Sequence, residues 1–212
     1  LSPEFSDSYE LQAIYARDKV SMNVGLFYLY TTDVIERIST FSYGVTTTFP
    51  VNLGIKHSYG LEYNSKWDIN KWSVLNGDIN ASQFNRLANL EGRDIDFTAQ
   101  QWSTKWTLRL KMKKGFDTEI TGRYESGFKT VQGRVSPQPS ADLGLRKKLF
   151  KRKALVSVSV RDIFASRIRE SFAEQATFYA YDRSLRGRFI TAGFSYGFGK
   201  GEAMEYNGGR RR

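Results

Sequence analysis

Residues 97–128 alternate in a way that few folds accommodate. Trp102, Thr104, Trp106, Leu108, Leu110 and Met112 share one parity, and Lys105, Thr107, Arg109 and Lys111 share the other. The following arm repeats the pattern. Phe116, Thr118, Ile120, Gly122, Tyr124 and Phe128 oppose Asp117, Glu119, Thr121, Arg123 and Glu125. A sustained period of two is a strand signal. One face is apolar and aromatic, while the other carries full charges of both signs. A soluble sandwich buries its apolar face and scatters polar groups outside. A membrane barrel turns the apolar face to lipid and the charged face to an enclosed lumen. The second arrangement suits this chain.

Composition fits that reading. No run approaches the ~18 apolar residues of a transmembrane helix, but barrel strands dilute hydropathy by alternating. Aromatics make up 15% of the chain, as interfacial belts require. There is no Cys and a single His, so neither a disulfide framework nor a thiolate metal site is expected, and no cofactor is.

Nine strands are expected, at 9–17, 20–31, 55–67, 72–81, the two arms of the central hairpin, 141–149, 154–160 and 188–198. Short connections fall at 18–19, 68–71, 113–115 and 150–153. Long ones fall at 32–54, 82–96, 129–140 and 163–185. This alternation is the habit of outer-membrane barrels, whose short turns face the periplasm. The fold class expected is therefore all-β, an antiparallel transmembrane barrel segment over residues 1–199. A polar, disordered basic tail is expected over 200–212.

Nine is an odd count. In a ring of nine, the first and last strands would run parallel, whereas single-chain barrels close antiparallel with even counts. Open edges in lipid leave backbone groups unpaired. More strands are therefore expected upstream, and the opening residues carry no signal-peptide pattern, which points the same way.

On this reading Lys56, Glu62, Lys66, Lys105, Arg109, Asp117, Glu119, Arg123, Glu125, Asp142, Arg146 and Arg161 line the lumen. There they pair across neighbouring strands or, at Lys56, Arg109 and Arg123, hold an acidic plug surface. Trp102, Trp106, Leu108, Ile120, Tyr124, Val156, Val158, Phe194 and Tyr196 face lipid, making outer-membrane lipid the first partner. The net charge of +10 collects at the short-turn end and in 167–188. Because the aromatics face away from the charges, a nucleic-acid surface is not expected. His57 sits on the apolar parity, without a serine and carboxylate converging on it, so a hydrolase is not expected.

Several segments resemble the late strands of TonB-dependent receptors. They are the entry SPEFSDSYE, HSYGLEYN at 57–64, and the end running from GRVSPQPSADLGLRKKLFKRKALVSVSVRDIF to RFITAGFSYGFGK. The resemblance is nearest to the group of outer-membrane β-barrels with V-x-D-I-F and a terminal S-Y-x-F-G. It implies a wall belonging to a barrel of about 22 strands enclosing an N-terminal plug, with energised uptake of a nutrient ligand through a TonB complex. It implies as partners the plug, the remaining strands, that complex and a surface lipoprotein. It also places the terminal aromatic read by the assembly machinery on Phe198, although fourteen residues follow. Two other classes stand beside the transporter: a self-standing small barrel with a structural or adhesive role, and a barrel enzyme.

Overall fold

A computed structural model describes residues 1–90, 92–175 and 178–198. The expected tail at 200–212, and residue 199 before it, lie outside the described residues. Nine strands form one antiparallel sheet: β1 (Phe5–Arg17), β2 (Val20–Thr32), β5 (Ile55–Asn70), β6 (Ser73–Leu90), β7 (Arg93–Lys111), β8 (Phe116–Glu125), β11 (Gln138–Leu149), β12 (Ala154–Arg161) and β15 (Phe189–Tyr196). They lie side by side in chain order, each main-sheet strand pairing with the next, so the architecture is a meander. The nine strands are those expected. β1 and β15 are the two edges of the sheet and run in the same direction.

Register ties the strands into rows. One row joins Arg17, Val20, Trp67, Leu75, Leu108, Ile120, Leu143, Val160 and Ile190. The short turns fall away from it in steps. β1 ends in the row at Arg17, β5 ends at Asn70, three residues beyond Trp67, and β11 ends at Leu149, six beyond Leu143. The stagger is about one residue per strand. A rise of ~3.3 Å per ~4.8 Å sideways step tilts the strands by roughly 35°, the lean a barrel wall needs.

The four short turns are tight. Asp18 at the first and Phe150, Lys151 and Arg152 at the last adopt positive φ, and Lys113–Gly115 forms one 3-10 turn.

The long connections differ from expectation. Residues 82–96 are not a loop. β6 and β7 continue as a tall hairpin to Leu90 and Arg93. At 18 and 19 residues these strands far exceed the ~9–11 that suffice to cross hydrocarbon, and the surplus is their upper halves. There the pattern inverts. Gln83, Asn85, Thr98 and Gln100 take the outer face, while Phe84, Phe97 and Ala99 turn inward and are buried.

The connection at 32–54 is a hairpin of β3 (Ile35–Ser42) and β4 (Val45–Asn52). The stretches 129–140 and 163–185 supply a second sheet. Its strands are β9 (Phe128–Lys129), β10 (Gly133–Val135), β13 (Ile168–Glu174) and β14 (Tyr179–Leu185), in the order β14-β13-β10-β9. Trp72 belongs to the turn before β6 rather than to the strand. Phe128 does not continue the outward face of β8. It packs on the inward cluster of Phe84, Phe97 and Ala99, with Ile95 and Val131. The strand breaks at Ser126 and Gly127, which frees Phe128 to turn, since the main-sheet pairing of β8 ends at Glu125.

Candidate functional site

Every charged residue nominated from the sequence lies on one face of the main sheet. Lys56, Glu62 and Lys66 on β5 share it with their β6 partners Arg86, Asn80 and Asn76. Lys105, Arg109, Asp117, Glu119, Arg123 and Glu125 continue it on β7 and β8, Asp142 and Arg146 on β11, and Arg161 on β12. The strand period enforces this, because antiparallel partners project to the same side.

Much of the charge is paired. Arg109 Nε meets Glu119 Oε2 at 2.8 Å across β7 and β8. Arg123 pairs with Asp142, and Lys148 Nζ approaches Asp117 at 3.9 Å. Lys66 Nζ bonds Asp68 at 3.0 Å, and Asn80 Nδ2 donates to Glu62 at 3.0 Å. Thr107 and Thr121 bridge the strands through their hydroxyls at 3.0 Å. Lys105, Glu125 and Arg146 make no ion pair among the described residues. Lys105 and Glu125 border a shallow depression with Glu62, Asp78, Asn80 and Arg123. Two arginines nominated as plug contacts, Arg109 and Arg123, are thus already engaged. The third nominee, Lys56, rests its ammonium 4.8 Å from the centre of the Phe84 ring.

The opposite face carries the large apolar side chains. Ile120, Val158 and Phe194 keep 42%, 40% and 70% of their area exposed, and Trp102 and Tyr196 are exposed as well. Trp106, Leu108, Tyr124 and Val156 are half-buried against neighbouring strands. The ring of Trp102 stacks on that of Tyr124 at 4.7 Å. A row of tyrosines, Tyr9, Tyr28 and Tyr59, crosses this face and continues into Gln83 and Gln100, where the pattern inverts. Tyr59 accepts from Gln83, and Gln100 Nε2 donates to Gln83 Oε1 at 3.2 Å. His57 joins this belt, its Nδ1 2.8 Å from the Tyr28 hydroxyl and its ring 4.9 Å from that of Tyr30. Ser58 points to the charged face and is buried. Among the described residues no group of His, Asp and Glu could hold a metal ion. Phe198 is 86% exposed and its ring abuts Tyr196 at 5.1 Å.

Over the upper end of the charged face sits a hood built from the two excursions. Gln132 latches it: its Oε1 accepts the Ser39 N–H at 2.8 Å and its Nε2 donates to the Ser39 carbonyl at 2.9 Å. Arg86 anchors the β3–β4 hairpin from below. It is 2% exposed, and its Nη2 meets Glu36 at 3.0 Å and the Leu53 carbonyl at 3.3 Å. Val34, Ile38 and Leu53 are buried beside it. Lys129 lies over the Phe97 ring at 4.9 Å.

Sequence reasoning missed this hood, and it gave no role to two residues inside the motifs it quoted. Glu4 of the PEFSDSYE entry accepts the Ile35 N–H at 2.8 Å, fixing the base of the β3–β4 hairpin. Asp162 of VRDIF is 2% exposed, with positive φ. Its carboxylate accepts the N–H groups of Ser166 and Arg167, both at 2.9 Å, and the Ser166 hydroxyl at 3.1 Å. Burial pushes the Asp162 carboxyl up, but those donors and the Arg167 charge outweigh it and hold it below the usual carboxylate range. The signal available was the residue type, because Asp tolerates left-handed φ and hydrogen-bonds the following backbone.

Comparison with known proteins adds to this geometry. A model of the outer membrane protein β-barrel family matches residues 1–196. The fold resembles the crystal structure of the ferric yersiniabactin uptake receptor from Yersinia pestis, with a TM-score of 0.62 at 17% identity. That match covers 90% of this chain and 29% of the receptor, so the chain spans under a third of its structural relative. No curated protein matches the sequence.

Proposed function

Since the chain belongs to the outer membrane protein β-barrel family and resides in the outer membrane, we propose that it is a length of wall in a larger barrel that imports a ligand. The observation that carries this is the nine-stranded sheet whose edge strands, β1 and β15, run the same way. Such a sheet closes antiparallel only by taking in further strands, an odd number of them. The stagger of about one residue per strand supports a continuous leaning wall. The neighbour named for ferric yersiniabactin uptake supports transport as the class of activity.

In this reading the charged face lines the lumen, and the ion pairs keep that wall hydrated and rigid. Of the nominated cations, Lys105 and Arg146 make neither an ion pair nor a ring contact among the described residues, and they are better placed than Arg109 and Arg123 to meet an acidic plug. The belt from Tyr9 to Tyr59 marks the outer interface, and Phe194, Tyr196 and Phe198 mark the inner one. Phe198 then serves as the aromatic read during assembly. The remaining strands, a plug domain, a TonB complex and a surface lipoprotein are the partners this role requires. The engagement of His57 with Tyr28 supports a non-enzymatic wall.

The test is the single-channel behaviour of the native polypeptide. Reversal of Lys105 and Arg146 to Glu should loosen the plug and open a steady conductance, and reversal of Arg109 with Arg123 should do so more weakly. A native polypeptide of 24.3 kDa that inserts and seals unaided would overturn the proposal.

A further inference from the structure

The positive charge at the short-turn end is not spread over the four turns. The first turn is Asp18–Lys19, and the second has Lys71 beside Asp68. The last two, neighbours in the sheet, hold Lys113, Lys114, Lys151, Arg152 and Lys153 with no carboxylate among them. Lys147 adds to them from the apolar side. Its register partners are Phe116 and Val156, so it stands on the greasy face rather than on the charged one. There its ammonium bends to the turn, 3.7 Å from the Phe116 ring centre and donating to the Lys114 carbonyl at 2.6 Å. Phe194, beyond Val156 in the same row, and Phe150, in the adjoining turn, are each 70% exposed. A lysine on a lipid-facing surface carries its charge to the headgroup level along its own alkyl stem.

We infer that the β7–β8 and β11–β12 turns, with Lys147, form a binding surface for the phosphate of an anionic phospholipid in the inner leaflet. Three observations select that occupant. The two turns themselves are one-signed in sequence, which an anion requires. It sits where the apolar face ends, so acyl chains meet Phe116, Val156 and Phe194 while the headgroup meets the cations. The acid at the base of the β7–β8 turn, Asp117, faces the other side of the sheet with Lys148. Basic residues close to an anionic surface each contribute about 1 kcal/mol, which is roughly fivefold in affinity.

The experiment reconstitutes the whole protein in nanodiscs of phosphatidylcholine doped with spin-labelled phosphatidylglycerol or spin-labelled phosphatidylcholine, and reads the motionally restricted fraction of each. The wild type should prefer the glycerol lipid by about fivefold or more at low salt, falling as ionic strength rises. K147Q should lower that preference by up to about fivefold, and K113Q/K114Q/K151Q/R152Q/K153Q should remove most of it. K19Q, in the mixed-charge first turn, should change nothing. If the multiple variant fails to insert, K147Q against K19Q decides alone. Equal preference in K147Q and wild type would overturn the inference, as would an equal loss in K19Q. So would full competition by free glycerol phosphate, which would mark a site for soluble anions instead.

Discussion

Asp142 Oδ1 accepts the backbone N–H of Asp162 at 2.9 Å, while its other oxygen pairs with Arg123. One carboxylate thereby joins the charged wall of β8 and β11 to the turn that leaves β12. Asp162 extends the chain through Ser166 and Arg167, and Ser166 Oγ returns to the Pro139 carbonyl at 3.1 Å. Replacing Asp142 with Ala strands a half-buried arginine and a buried N–H together. The cost should be about 1–3 kcal/mol, so the amides of Asp162 and Ile163 should exchange about ten- to a hundredfold faster. Unchanged exchange at both would show that the link carries no energy.

Acid should undo the same turn. The Asp162 carboxyl titrates below its ordinary value, so the folded state favours its ionised form. That contribution is fully present above the unfolded value of about 3.9 and is lost as pH falls through the lower folded value. Protection of the Ser166 and Arg167 amides, corrected for intrinsic exchange, should therefore stay flat from neutrality to about pH 4 and then fall. In D162N the acid step at the Ser166 and Arg167 amides should vanish, because the group that accepts those two N–H groups no longer titrates. A wild-type step near neutrality would contradict the assignment.

The Arg86–Glu36 pair gives a sharper test of the hood. Glu36→Ala leaves a guanidinium buried with only the Leu53 carbonyl, and should cost about 3–5 kcal/mol of hairpin docking. Limited proteolysis should then cut within 35–52 faster than in the parent. The double variant R86M/E36L removes both charges and should recover most of the resistance. If E36A alone is cut no faster, the hairpin is held by Val34, Ile38 and Leu53 without the pair.

Gly60 allows a steric prediction on the charged face. A Cβ there would run into the backbone carbonyl of Ala81 and come within 2.8 Å of the Phe27 ring. The ring can turn but the carbonyl cannot, so G60A should destabilise the β5–β6 pairing by about 1–3 kcal/mol. The unfolding midpoint in heat-modifiability gels should drop measurably. Gly122, whose added Cβ would meet open space, supplies the control, and G122A should run like the parent.

The wall was legible in the sequence because one rule holds along all of it: odd and even positions meet different solvents. Leu108, Ile120 and Val158 on one parity and Arg109, Glu119 and Arg161 on the other show how that rule marks a strand and tells its two faces apart, while the register between strands came from the structure. The upper hairpin was not legible because the rule reverses there. Around Phe84 and Phe97 the outer face is wet and the inner face is dry beneath the hood, so a search for outward apolar residues sees a break and assigns a loop. Pairings such as Gln132 with Ser39, far apart in sequence, leave no periodic trace at all. The charged wall could be listed residue by residue, but which cations remain unpaired depends on side-chain reach, as with Arg123 crossing diagonally to Asp142.

The lean of the strands separates two kinds of neighbour. Leu108 and Ile190 belong to one hydrogen-bonded row, yet Leu108 stands three residues above the end of its strand at Lys111 and Ile190 six above Tyr196. Ladder partners therefore sit at unequal heights in the bilayer, and its midplane cuts the sheet on a diagonal. An arginine scan of the apolar surface should sort by distance from the nearest short turn, not by rung.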